Sequence, residues 1–214
     1  MNPILMATGI AVSAGAVVTV SARDARIALG GLTVTFAVAP FVADPQPEPL
    51  ALAARIVAAA LAAYLVWMVV RRPGSVTRGS LLGWPTEALI AAAAFVIGYG
   101  TAGLGAPAVG PAEAQASGLT LISLAVGPLV FGRDVFRLGT GAALLVGGIV
   151  LVGVALAGTP SSLAALVTGG LVVALGASIA FLVAGAETAG AAGAEVLVPD
   201  ASAVARQAAR PPGR

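Results

Sequence analysis

The 214 residues of this chain include no cysteine and no histidine. Their absence excludes disulfides, thiolate chemistry, zinc sites of the usual kind, iron–sulfur ligation and histidine-ligated haem. A histidine proton shuttle is excluded as well. Lysine is missing too, so the eleven basic residues are all arginine. Charge of either sign is scarce: 9% of the residues are charged and 59% are apolar, with a mean hydropathy of +1.03. A soluble domain usually carries about 25% charged residues, and so few charges could not cover a globular surface of this size. A formal charge of +2 spread over loops gives no basis for nucleic-acid binding. No phosphate loop, nucleophile elbow or metal motif occurs. No acid, base and nucleophile can be brought together from what remains. The expectation is therefore no cofactor, no metal and no catalytic activity of its own.

What the chain does have is long apolar segments of roughly 18–22 residues, the length of a membrane-crossing helix; a barrel strand needs only about 9–11. They are rich in Ala, Leu, Val and Gly and show no period-2 alternation. In lipid every backbone N–H and C=O must be satisfied within the chain, which favours helices. The predicted fold is all-α, a polytopic transmembrane helical bundle of about seven spans. These lie near residues 3–20, 27–42, 50–70, 86–104, 117–131, 135–157 and 161–184. The fifth is the shortest and contains Pro128. Met1-Asn2-Pro3 lacks a basic leader, so the first stretch is read as a retained span rather than a cleaved signal.

The loops predict the orientation. Arg23 and Arg26, then Arg71, Arg72 and Arg78, then Arg133 and Arg137, then Arg206, Arg210 and Arg214 all fall on one side. The opposite loops carry Asp44, Glu48 and Glu113, with only Arg55 nearby. By the positive-inside rule the N-terminus is outside and the C-terminus cytoplasmic, in a prokaryotic inner membrane. Tyr64, Trp67 and Trp84 then fall at the cytoplasmic interface. Gly9 with Ser13, Gly141 with Gly148, and Gly169 with Gly176 each share a helix face, where small residues permit close packing.

The chain also repeats in layout. Ala22-Arg23-Asp24-Ala25-Arg26 has a counterpart in Gly132-Arg133-Asp134-Val135-Phe136-Arg137, and a Gly-containing apolar span follows each. Pro49-Leu50-Ala51-Leu52-Ala53-Ala54 then matches Pro160-Ser161-Ser162-Leu163-Ala164-Ala165. Three spans per unit and one linking span would make a parallel repeat; the alternative is convergence of two low-complexity segments. The expected organisation is a three-helix membrane unit over 1–70, a basic cytoplasmic loop and linking span over 71–110, a second three-helix unit over 111–186, and a cytoplasmic tail over 187–214. The tail is either flexible or a short amphipathic helix on an anionic membrane surface.

Few residues could carry chemistry, because the middle of every span lacks an ionisable group. Midplane hydroxyls such as Thr35, Ser123 and Thr168 are expected to bond carbonyls of their own helix. Arg55 could pair with Glu48 or Asp44 or contact a partner subunit; the more economical reading is snorkelling to the interface. Glu87 reads as a helix-start device after Pro85, with a proton acceptor as the sharper alternative. Asp24 and Asp134 read as local partners of neighbouring arginines, or else as a docking face for a cytoplasmic partner. Together with Arg23, Arg26, Arg133 and Arg137 these are the candidate subunit or lipid contacts.

The run Arg133-Asp134-Val135-Phe136-Arg137, Gly141 in the next span, the turn Gly158-Thr159-Pro160 and the opening Leu163-Ala164-Ala165-Leu166-Val167 carry a resemblance. In span count and order the chain resembles the membrane component E of hydrogenase-4 complexes. Its C-terminal unit is similar to the small K subunit of NADH:quinone oxidoreductase and to the C subunit of multisubunit cation/proton antiporters. The resemblance implies an integral subunit surrounded by membrane lipids and other membrane subunits. It also implies a carboxylate in the sixth span, where this chain has Leu144-Leu145-Val146-Gly147, and in hydrogenase-type members a second near Gly169-Gly170. Both are missing, so the implied role is a scaffold in the membrane arm rather than proton transfer. The alternative is a small stand-alone transporter or permease for a neutral or apolar substrate.

Overall fold

The computed structural model describes residues 2–71, 83–102, 109–132 and 134–188. Within them every regular element is helical: α1 (Pro3–Ser21), α2 (Ala25–Val38), a 3₁₀ turn (Ala39–Val42), α3 (Pro49–Val70), α4 (Trp84–Gly100), α5 (Ala112–Phe131), α6 (Val135–Ala157) and α7 (Ser162–Thr188). Six of these segments are long and apolar enough to cross a membrane; the second is α2 continued through its 3₁₀ turn to Val42. The chain is a multi-pass integral membrane protein. At 17 residues, α4 is the shortest uninterrupted helix apart from α2.

Local chemistry sets the helix ends. Asn2 caps α1, its side-chain oxygen accepting from Ile4 N at 3.1 Å, and Pro3 occupies the first turn, where a missing N–H costs nothing. Pro40 cannot continue the α-helical hydrogen bonding of α2, and the chain tightens to 3₁₀ through Val42. The fifth helix is longer than the sequence reading, starting at Ala112 rather than near 117. Pro111 stands at its N-cap and Glu113 in its first turn complements the helix dipole. Pro128 is accommodated in its last turn, and Gly132 N closes the end on Pro128 O at 3.0 Å. The fourth ends at Gly100, before the expected 104, and residues 103–108 lie outside the described residues.

The main core joins α1, α2, α4, α5 and α6 around Val12, Ala16, Leu121, Leu124, Leu144 and Leu151. A smaller cluster of Ala25, Leu29, Val66, Phe136 and Ile179 ties α3 and α7 to α2 and α6 at one end. Helix α3 packs chiefly on α7, and α1 packs on α5 as well as on α2. Glycines make the close crossings. A Cβ on Gly31 would lie 2.6 Å from Gly15 O, and one on Gly148 would lie 2.8 Å from Gly118 O. Of the glycines expected at interfaces, Gly9 faces Phe95 and Glu113, Gly141 faces α5, and Gly169 and Gly176 face Ala58 and Ala62 of α3.

The two Asp-containing turns share their geometry. Gly31 stands seven residues after Asp24 and Gly141 seven after Asp134. Gly31 meets the carbonyl of Gly15, nine residues before Asp24, and Gly141 meets that of Ala125, nine before Asp134. Ala22 N bonds Val18 O as Gly132 N bonds Pro128 O, both at 3.0 Å. In the third helices, Ala58 faces Gly169.

Candidate functional site: a capped arginine end and an interhelical groove

At the end holding the Asp turns, both carboxylates serve as helix N-caps. Asp24 Oδ1 accepts from Arg26 N at 2.8 Å and Asp134 Oδ1 from Phe136 N at 3.0 Å. These bonds fix the starts of α2 and α6 and thereby aim two arginines. Arg26 donates through Nη2 to Arg71 O, at the C-terminus of α3, at 3.0 Å. Arg137 donates through Nη1 to Val20 O and through Nη2 to Ala22 O, both at 3.0 Å, closing the C-terminus of α1. A cation on orphan helix carbonyls is favourable twice over, by hydrogen bonding and by the helix dipole. Arg137 also lies within electrostatic reach of Asp134 and Glu87.

Glu87, in the first turn of α4, is only 3% exposed and lies within electrostatic range of Arg137. Arg23 is exposed and takes part in a polar interaction of its own. Arg133 lies outside the described residues, as do Arg72, Arg78 and residues 189–214. Sequence reasoning anticipated the Asp turns and Glu87 as polar features. It did not anticipate that Arg26 and Arg137 close the ends of other helices, a fact set by helix packing.

At the opposite end Glu113, expected in a loop, is 5% exposed in the first turn of α5 and packs beside Gly9. Glu48, considered as a partner for Arg55, instead accepts from Ser162 Oγ at 2.7 Å, joining the starts of α3 and α7. Among the described residues Arg55 has no hydrogen bond or ion pair. It is half-buried and lines a crevice with Phe36, Ala58, Val150, Thr168 and Gly169. That crevice adjoins a second one lined by Leu32, Ala62, Val66, Leu175 and Ile179. The two share Phe36, Ala59 and Val172, and both are narrow, partly open crevices, with cavity volumes of about 30 and 20 Å³. Together they form a groove between the α3–α7 pair and the α2 and α6 helices.

Two of the three midplane hydroxyls follow the expected pattern: Thr168 Oγ1 donates to Ala164 O at 2.8 Å and Thr35 Oγ1 to Gly31 O at 3.0 Å, whereas Ser123 makes no such bond among the described residues. Thr35 also reaches Val12 O of α1 at 3.3 Å, a crosslink between helices. Among the described residues no three His, Cys, Asp or Glu side chains gather where they could hold a metal ion. The chemistry on offer is capping, packing and the binding of a group that suits one arginine in an apolar groove. In comparisons with known proteins the chain matches no family model, no curated protein and no solved structure.

Proposed function

We propose that the chain is a structural subunit in the membrane arm of an energy-converting complex, hydrogenase-4-like or otherwise related to NADH:quinone oxidoreductase. The observation that carries the proposal is the interior of α6. Leu144 is fully buried in the main core, flanked by Ala143, Gly147 and Gly148, and the stretch Leu144-Leu145-Val146-Gly147 stands where members of the resembling families carry a carboxylate. An apolar stretch there packs and does not relay protons. The surface agrees with this reading. Only 17% of the apolar window of α7 is buried within the chain, against 50% for α5 and α6. Leu163, Val167 and Phe181 of α7 are left for lipid or a neighbouring subunit.

The matched turns and the Gly31 and Gly141 crossings support two parallel three-helix units, with α4 as the linking fourth span. On this reading the arginine-rich end is cytoplasmic and the N-terminus is outside. Gentle detergent extraction of the native membrane tests the assignment. The tagged chain should co-purify with large antiporter-like membrane subunits. Recovery as a lone protein that moves a neutral solute in liposomes would replace this reading with that of a small permease.

A further inference from the structure

The groove between α3–α7 and α2–α6 has an asymmetry that the scaffold reading does not use. One end is charged and the other is greasy. Arg55, on α3, is the groove's one ionisable lining residue among the described residues, and Thr168 is its nearest polar companion across the gap on α7. From there the lining is apolar but for Thr33 of α2, whose hydroxyl bonds Leu29 O, and runs through Ala59, Ala62 and Val66 on α3 and Val172, Leu175 and Ile179 on α7. At the far end the lining residues Leu29, Val66 and Ile179 pack with Phe136 in the smaller core cluster.

Its length is informative. Arg55 and Val66 are eleven residues apart on one helix, roughly 16 Å at 1.5 Å per residue. That is about half of a hydrocarbon core of about 30 Å, the depth of one leaflet. Because Arg26 bonds the C-terminal carbonyl of α3, the Arg55 end lies in the leaflet away from the Asp turns. An arginine held this far inside a span is expensive unless something anionic meets it. Glu48 does not meet it: that carboxylate is seven residues earlier, about 10 Å along the helix axis, and engages Ser162.

We propose that the groove is a binding site for one anionic phospholipid, its phosphate on the Arg55 guanidinium and one acyl chain lying along the open crease between the α3–α7 pair and α2–α6. Guanidinium and phosphate match in charge and in hydrogen-bond geometry. The groove's length matches a single leaflet, and its apolar lining lies along a crease that is partly open to the surroundings of the bundle. Phospholipid is favoured over a free fatty acid by mass action, being the bulk component of the leaflet. The proposal needs only a membrane-embedded bundle and stands whether or not the chain is a complex subunit.

The test is native mass spectrometry of the purified full chain, titrated with phosphatidylglycerol, phosphatidylcholine or oleate. One phosphatidylglycerol should be retained in preference to phosphatidylcholine. Arg55→Gln should weaken retention at least about tenfold, the worth of one charge-assisted hydrogen bond. Arg55→Lys should weaken it less, and Leu89→Ala, on the exposed face of α4 outside the groove, should leave it unchanged. Independently of any variant, phosphatidylglycerol with a photoreactive group on its acyl chain should label the wild-type protein within α3 and α7, between Ala59 and Val66 or Val172 and Ile179. Equal retention of the two phospholipids, undiminished binding by Arg55→Gln, or labelling elsewhere would overturn the site. Oleate held as tightly as phosphatidylglycerol would reassign it to free fatty acids, and a second copy of the chain found in the groove would reassign it to a dimer contact.

Discussion

Single atoms decide much of this fold. Gly30 and Gly31 are neighbours in α2, yet a Cβ on Gly30 meets nothing within 4 Å, whereas one on Gly31 would sit 2.6 Å from Gly15 O and 2.8 Å from Thr19 N. Gly31→Ala is therefore expected to destabilise the bundle by about 1–3 kcal/mol, because two backbones must move apart. Gly30→Ala should be neutral or stabilising by up to about 1 kcal/mol, through better helix propensity. Unfolding of the two variants in mixed micelles measures the difference. The Asp turns allow a second comparison: Asp134→Ala removes the bond to Phe136 N and should cost about 1 kcal/mol. Asp134→Asn, still a capping residue, should retain most of the stability. The sequence alone supplied the aspartates but not their use. A carboxylate beside arginines is equally readable as an ion-pair partner, and only the extended backbone at Asp24 and Asp134 makes it a cap.

At the scale of the helix, the apolar run lengths and the Pro and Arg-Asp punctuation located the elements. The displaced boundaries have local causes. The charge of Glu113 marked a loop in the sequence, but a carboxylate in the first turn is compatible with a helix start, and α5 begins before it. Helix pairing was not legible. Nothing in the sequence marks Ala58 and Ala62 as the partners of Gly169 and Gly176, because in an Ala- and Gly-rich chain many small faces could meet. This pairing is testable. Gly176→Leu would drive a side chain into Ala62, whose Cβ lies 2.8 Å from where a Cβ at position 176 would stand, while Gly170→Leu meets open space. The first should increase the protease sensitivity of the α3–α7 pair and the second should not, as limited proteolysis in micelles would report.

For the molecule as a whole, solvent is the governing consideration. Scarce charge and long apolar segments called for lipid, and the structure answers with a bundle whose outward faces are apolar. Ile4, Leu89, Val96, Leu163 and Phe181 are each more than half exposed. In water such a surface would aggregate; in a bilayer it is the ordinary boundary. The groove beside Arg55 was not legible from sequence, since its walls come from two consecutive helix pairs, α2–α3 and α6–α7, that are distant from each other in the chain. Arg55 did stand out as the one basic residue away from the others, which is the trace the site leaves in the sequence.

The native chain lacks cysteine, so single cysteines can report topology against a silent background. Gln46→Cys lies in the exposed link before α3, and Arg71→Cys in the exposed turn after it. If α3 crosses the bilayer with its arginine-rich end inside, a membrane-impermeant maleimide will label the Gln46→Cys variant in intact cells. It will label the Arg71→Cys variant only after the membrane is opened. Labelling of both variants from the same side of a sealed membrane would contradict the account.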